Sequence, residues 1–380
     1  MNHSDSSAPS TNLSAPPAII QLKTISPSRF QSLALCQLRE LWNSSLPDSK
    51  RHLPPWPAAR VGTIIHKLLE LAAKGKIHDN VEHCWRELVS QSEDDLANSW
   101  VTRPLIPLSR TQPSFEVRMY RALRKATEVV GKYVSSAAPQ SQFGPEIKVK
   151  SRDGTVRGAI DLVRPGEAGP VIVDYKTGTI FETDNNAFAV IKPEYVTQMT
   201  LYAALYHEQF DTWPSGLELV PLRGQTVRLS FDTSKAAELL EEAKDSLRAV
   251  NAKVEQHTSI SELASLSPEN CKFCQHRPVC PAYREHAPTL ASAAFPFDEY
   301  GKLVAIHRQT DELVSLQMRT ANGDDREIKD IVYNFDRHPT LAFVDAGSNL
   351  AIFNLKQDIR FNQYIEMPAL TTIYTFNDST

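Results

Sequence analysis

No apolar run in this 380-residue sequence approaches the roughly 20 residues needed to cross a bilayer, so no membrane span and no membrane partner are expected. Charge of one sign is missing too: 41 basic against 45 acidic residues leave a formal net charge of −4. That balance argues against indiscriminate wrapping of nucleic acid, although a local basic strip can still hold phosphates. The opening MNHSDSSAPSTNLSAPPA has neither the charged head nor the apolar stretch of a secretory leader. Its Ser, Pro and Asn content suggests a disordered lead-in over residues 1–18. Cysteine is scarce, five in all. In the cytoplasm, the expected location, thiols stay reduced, and a Cys cluster there binds metal more often than it forms disulfides.

What is present divides by period. SPSRFQSLALCQLRELW (26–42) reads as a short helix with Ser26 as N-cap and Pro27 behind it. AARVGTIIHKLLELAAKGK (58–76) is a stronger amphipathic helix, with Ile64, Ile65, Leu68, Leu69 and Ala72 as its apolar stripe. Helical sequence continues near 80–98 and 114–135. In the second stretch Arg118, Arg121 and Lys125 fall at helical spacing with Arg124 alongside; taken alone this is a solvated face. From 145 to 178 the pattern alternates instead, with breaks at Asp153-Gly154 and Pro165-Gly166, and predicts a three-stranded meander. A helix at 193–210, a hairpin from LELVPL and TVRLSF, and a long charged helix at 233–256 follow. Past 290, GKLVAIH, ELVSLQM, REIKDIVY, LAFVD, LAIFNL and TTIYTF have the spacing of a small barrel or sandwich.

The meander carries the chemistry. Asp161 lies on its second strand, and Asp174 and Lys176 end its third in VIVDYK. Period-2 geometry puts Asp174 and Lys176 on one face, with Asp161 in reach across the neighbouring strand. Two adjacent carboxylates resist joint ionisation, and a hard divalent cation such as Mg²⁺ or Mn²⁺ removes that conflict. Such a metal activates water and polarises a phosphoryl oxygen, while a nearby ammonium stabilises the added charge. Asp-x-Lys alone is ordinary surface chemistry, worth about 0–1 kcal/mol as an exposed pair. Here it follows VIV, a run typical of a buried strand, where burying both charges is costly without a purpose.

GAIDLV followed by VIVDYKTG resembles the core of PD-(D/E)XK nucleases, in particular the RecB-like and AddB-like branch. That branch has a Gly-x-x-x-His helix upstream, matched by Gly62 and His66. It has a Glu opening the first strand, matched by Glu146, and a Gln-x-x-x-Tyr helix after the lysine, matched by Gln198 and Tyr202. The matches occur in order between about 26 and 285, and the ordered set is far more specific than any member. The resemblance implies an α/β fold with a restriction-endonuclease-like core, a mixed central sheet flanked by helices, after a helical N-terminal part. It implies His66, Asp161 and Asp174 as ligands of Mg²⁺ or Mn²⁺, Lys176 positioning water, and Gln198 and Tyr202 orienting substrate or lysine. Glu146 is added to the catalytic set.

ENCKFCQHRPVC (269–280) holds three cysteines at Cys-x2-Cys-x5-Cys spacing. Zinc could take Cys271, Cys274 and Cys280 with His276 or His286 as fourth ligand. The same nuclease branch often carries a [4Fe–4S] cluster with one cysteine near its N-terminus, which implies Cys36 together with Cys271, Cys274 and Cys280. Such a centre would clasp positions 235 residues apart, with a large effect on the entropy of the unfolded chain. Cys84 in EHCWREL reads as a buried helical cysteine. The expected organisation is therefore a lead-in (1–18), a nuclease domain (19–288) and a β-rich accessory domain (289–380). The last is expected as an OB-like barrel able to bind single strands or a partner protein, with Phe353, Phe361, Tyr364 and Tyr374 as available aromatics, most of them destined for its core. The expected function is an exonuclease acting on DNA with single-stranded character or free ends, in repair, recombination or antiviral defence, beside a helicase or other DNA-processing protein. The competing reading is a non-catalytic DNA-binding subunit of a helicase complex.

Overall fold

A computed structural model describes residues 11–13, 15–77, 80–130, 142–183, 189–290, 297–320, 323–358 and 363–377, the side chains of 287–290 excepted. The stretch expected as one helix at 26–42 is two, α1 (Pro27–Leu35) and α2 (Gln37–Ser45). They part at Cys36, whose backbone is extended (φ −159°, ψ 105°). The Leu35 carbonyl, which a continuous helix would give to residue 39, instead accepts from the Asn270 side-chain amide at 2.9 Å. Ser26 holds the N-cap position and Pro27 the first helical one, but the Ser26 hydroxyl makes no capping bond. Two longer helices follow, α3 (Pro57–Ala73) and α4 (Val81–Ala97), then the short α5 (Leu108–Thr111) and α6 (Phe115–Val129). The Asn80 side chain caps α4 by accepting from the His83 amide. The expected stripe of α3 is buried, from Ile64 to Ala72. Residues 131–135, expected to continue the last of these helices, lie outside the described residues.

The meander forms as the alternation predicts: β1 (Gly144–Lys150), β2 (Arg157–Gly166) and β3 (Gly169–Lys176), antiparallel throughout. Its first turn is held by Asp153, whose Oδ1 accepts from the Thr155 amide at 3.0 Å and hydroxyl at 2.8 Å, while Gly154 supplies φ +74°. The second turn falls later than expected. Pro165 and Gly166 stay in β2, and Glu167 and Ala168 make the connection. A small hairpin, β4 (Phe181–Thr183) and β5 (Ala189–Ile191), leads to α7 (Pro193–Phe210). This helix is the crossover to β6 (Gly216–Pro221), parallel to β3, and β7 (Val227–Leu229) pairs antiparallel beyond it. The result is a mixed sheet ordered β1-β2-β3-β6-β7. One of its faces shares a core with α1, α7 and α8 (Thr233–Glu255), the other with α3, α4 and α6. The alternation of β3 serves both: Ile172 belongs to the first core, Val171, Val173 and Tyr175 to the second.

After α9 (Ile260–Leu263), α10 (Pro268–Lys272) and α11 (Pro281–Leu290) comes the β-rich domain. Its strands are β8 (Phe297–Arg308), β9 (Leu313–Thr320), β10 (Asp325–Val332), β11 (Asn349–Asp358), β12 (Gln363–Glu366) and β13 (Thr372–Thr375). β12 pairs in parallel with β10 and antiparallel with β11, closing the ring β8-β9-β10-β12-β11. A closed five-stranded ring is the arrangement of an OB-like barrel. LAFVD, expected as a strand, is not one: Pro339 opens a 3-10 turn, Pro339–Ala342, because its fixed φ suits a first helical position. Part of the stretch expected as a disordered lead-in packs on this domain. The Leu13 amide donates to the Thr375 carbonyl and the Thr375 amide to the Thr11 carbonyl, both at 2.9 Å. Phe353, Tyr364 and Tyr374 are buried, so none of the three offers a face for base stacking; Phe361 lies outside the described residues.

Candidate active site

The strand registers decide which carboxylates meet. Leu162 pairs with Val173, and one step further along the same register puts Asp161 across from Asp174. On its other side β2 pairs Ile160 with Ile147 and Leu162 with Pro145, which sets Glu146 across from Asp161. Three carboxylates therefore stand in one row over three adjacent strands. The ladder is interrupted along this row. Glu146 adopts φ +55°, a left-handed conformation that costs a non-glycine residue about 1–3 kcal/mol. Asp161 Oδ2 accepts the Tyr175 amide at 2.8 Å.

Asp174 and Lys176 are 4% and 9% exposed and meet on one face, as their spacing predicts. Lys176 Nζ is 2.8 Å from Asp174 Oδ2 and donates to Gln198 Oε1 at 2.8 Å. Gln198 Nε2 donates to Asp174 Oδ1 at 3.2 Å. These contacts close a ring that fixes the lysine relative to the carboxylate. The Tyr202 hydroxyl, one turn further along α7, meets the Gln198 side chain. Two glycines let the elements approach this closely. A Cβ on Gly158 would lie 3.0 Å from Tyr202 Cε1, and one on Gly62 would lie 3.1 Å from Thr177 Oγ1. His66, one turn after Gly62 on α3, brings Nδ1 to 3.7 Å from Asp161 Oδ2.

The electrostatics follow from crowding acids in a buried place. Burial, then the charge of Asp174, pushes the Asp161 carboxyl up to about 8, with Glu146 adding and the Tyr175 amide and Lys176 opposing. Burial and then Glu70 raise Glu146. Burial lowers His66 against the pull of Asp174, so the ring is held neutral, the state in which imidazole ligates metals. Burial, then Asp174 and Asp161, raise Tyr202 and keep it a hydrogen-bond donor. Asp174 Oδ2 touches Lys176 but accepts no hydrogen bond of good geometry, although it is buried. An unsatisfied carboxylate oxygen beside a second carboxyl that burial and like charge push up fits a place for a hard cation. Among the described residues no group of three or more His, Cys, Asp or Glu side chains is arranged to hold a metal ion.

Two participants escaped the sequence reading. Tyr195 lays its ring 4.3 Å from Lys176 Nζ; it lies three residues before Gln198 on α7, and that helical spacing was its signal. Glu70, one turn after His66, accepts from Lys67 and Lys74 at 2.8 and 2.6 Å and biases Glu146.

The cysteine region stands apart from this site. Cys36 sits between α1 and α2, Cys271 in α10, and Cys274 and Cys280 on either side of a 3-10 turn, Arg277–Val279. The two segments are laced together: besides the Asn270 bond to Leu35, Arg39 Nη1 donates to the Asn270 carbonyl at 2.8 Å. All five cysteines are free. Burial pushes Cys271 up to about 11 and Cys280 up to about 12, and Cys274 and Cys36 add to both. Among the described residues the four cysteines are not gathered as a ligand set for a metal ion, so the arrangement does not carry the expected [4Fe–4S] cluster. The zinc alternative with His276 fares worse. That ring bonds Asn43 Oδ1 at 3.0 Å and packs edge-on against Trp42 and His52. Cys84 is half-buried on α4 rather than fully buried.

No curated protein matches the sequence. Among solved structures, one from Eubacterium rectale, of a protein thought to be an exonuclease, aligns at 12% identity with a TM-score of 0.33, covering 62% of this chain and 83% of that one. The family model of the PD-(D/E)XK nuclease superfamily matches residues 24–281, the span that runs from just before α1 to the last cysteine and encloses the carboxylate row, Lys176, Gln198 and Tyr202. The chain belongs to the PD-(D/E)XK nuclease superfamily.

Proposed function

We propose that the protein is a Mg²⁺- or Mn²⁺-dependent DNA nuclease of the RecB-like branch, acting as an exonuclease on DNA with single-stranded character. The observation that carries this reading is the closed Asp174–Lys176–Gln198 ring beside Asp161, whose carboxyl is pushed up to about 8. Asp161, Asp174 and His66 would hold the cation, which when bound supplies charge neutralisation and water activation. Lys176, held by Asp174 and Gln198, carries a fixed positive charge to the phosphate, where charge develops as the P–O bond breaks. Tyr202 and Tyr195 keep Gln198 and Lys176 in place, and Glu146 tightens the demand for a cation by adding a third acid.

The four cysteines extend the proposal: Cys36, Cys271, Cys274 and Cys280 would ligate a [4Fe–4S] cluster clasping the two ends of the nuclease domain. The Asn270 and Arg39 bonds across residues 35–39 and 270 support it by bringing the cysteine-bearing segments together. Action beside a helicase, in repair, recombination or antiviral defence, completes the reading.

The test uses end-labelled single- and double-stranded DNA, Mg²⁺ or Mn²⁺, wild type and Asp174→Ala. Metal-dependent shortening from an end by wild type, lost by on the order of 10²-fold or more in the variant, is the expected result. Equal or absent cleavage by both proteins sinks the enzyme claim in favour of a DNA-binding subunit.

A further inference from the structure

Beside the catalytic strand lies a cleft of about 380 Å³ that the nuclease chemistry above does not use. Its floor continues directly from Lys176 through Thr177 and Gly178 to Phe181, and its far wall is the β6–β7 turn with Arg223. The Leu222 amide donates to the Lys176 carbonyl at 3.1 Å, so floor and wall are fastened to the catalytic lysine itself. Arg118 and Arg121 enter from α6.

The charges of this cleft are one-sided. No acidic residue lines it among the described residues. On the same helix Arg124 and Lys125 pair with Glu128, at 3.6 and 3.1 Å, whereas Arg118, Arg121 and Arg223 have no ion-pair partner among the described residues. Among the described residues, three guanidinium groups without an ion-pair partner thus line one cleft, in a chain whose net charge is −4. A larger groove of about 830 Å³ against α7 and α8 has the opposite lining, with Glu238, Glu241, Glu242 and Asp245, and would repel a polyanion.

We infer that the cleft is the entry track for one DNA strand, with Arg118, Arg121 and Arg223 on successive phosphates and Phe181 offered to a base. This rests on the proposed nuclease reading and deepens it by assigning the strand's path. Arginine is suited to the task because its planar fork meets phosphate oxygens in pairs. Phe181 is 41% exposed at the cleft, and one aromatic face beside a basic groove is the general recipe for holding an unpaired strand regardless of sequence.

The experiment measures binding of a fluorescent single-stranded oligonucleotide by anisotropy, in chelator so that nothing is cleaved, over a range of salt. Wild type is compared with Arg118→Gln/Arg121→Gln/Arg223→Gln and with the corresponding triple Lys variant, each first checked for a wild-type thermal transition. Loss of three phosphate contacts should weaken binding and flatten the slope of log affinity against log salt by about 2, at about 0.7 per phosphate on a single strand. The triple Lys variant should keep the slope, and a blunt duplex should show no such difference between the proteins. If the triple Gln variant does not fold, Arg223→Gln in its exposed turn decides, with a slope change of about 0.7. An unchanged affinity and slope in a folded Gln variant, while wild type binds and cleaves, overturns the track alone. Failure of wild type to bind or cleave DNA overturns the nuclease reading, and the track with it.

Discussion

Asp298→Ala should destabilise the protein far more than removal of any surface acid, because of what the carboxylate neutralises. Arg277, in the cysteine segment, and Asp298, at the start of the barrel, have side chains 2% and 1% exposed. Arg277 Nε donates to Asp298 Oδ2 at 2.7 Å, and its Nη1 donates to the Cys271 and Lys272 carbonyls at 2.9 Å each. Asp298 also accepts the Tyr283 hydroxyl and the Asn354 amide, both at 2.8 Å. Burial works against the guanidinium charge, but Asp298 outweighs it and holds Arg277 firmly protonated. Truncating Asp298 removes the carboxylate that neutralises a buried guanidinium and takes an acceptor from two further donors, a loss of about 3–5 kcal/mol. The exposed pair of Arg319 and Asp325, at 60% and 56%, should by contrast lose next to nothing on Asp325→Ala, because solvent screens it. Urea unfolding followed by circular dichroism measures both. The double change Arg277→Met/Asp298→Leu should cost less than Asp298→Ala, since it removes the stranded charge with its partner. A cost for Asp298→Ala no greater than that of Asp325→Ala would refute the reasoning and cut the polar link between cysteine segment and barrel.

Three further outcomes follow from the same geometry. In metal-free protein the Asp161 carboxyl keeps its proton up to about 8, whereas the unfolded chain releases it near the ordinary carboxylate value of about 4. The folded state thus holds the extra proton between those limits, and its stability falls as pH rises through them. Asp161→Asn should flatten that fall, read as melting temperature in chelator at pH 5 and pH 8; parallel profiles for variant and wild type count against the crowding of acids. Cys280→Ser should abolish any iron and acid-labile sulfide in protein purified without oxygen, and a wild type containing zinc but no iron would overturn the cluster. Gly158→Ala should push against the Tyr202 ring, costing about 1–3 kcal/mol and lowering cleavage without altering the carboxylates; wild-type stability and activity would show that the contact yields freely.

The period-2 pattern around Asp153-Gly154 and the buried VIV run were enough to place Asp174 and Lys176 on one face, because alternation along a strand is a local property. Helical spacing was likewise enough for Gln198 and Tyr202. The sequence could not break α1 from α2 at Cys36, since the group that takes the Leu35 carbonyl is Asn270, 235 positions from Leu35 along the chain. It did not announce β12, whose four residues become a strand only because β10 and β11 flank them. Nor could it show that Arg118 and Arg121 enter a cleft with Arg223 while Arg124 and Lys125 are neutralised, since one helix face looks much like another until a partner is packed against it. Residue types and their local periods thus determined which side chains could do chemistry. Strand register and helix docking decided which of them meet, because both depend on contacts between segments that are remote along the chain.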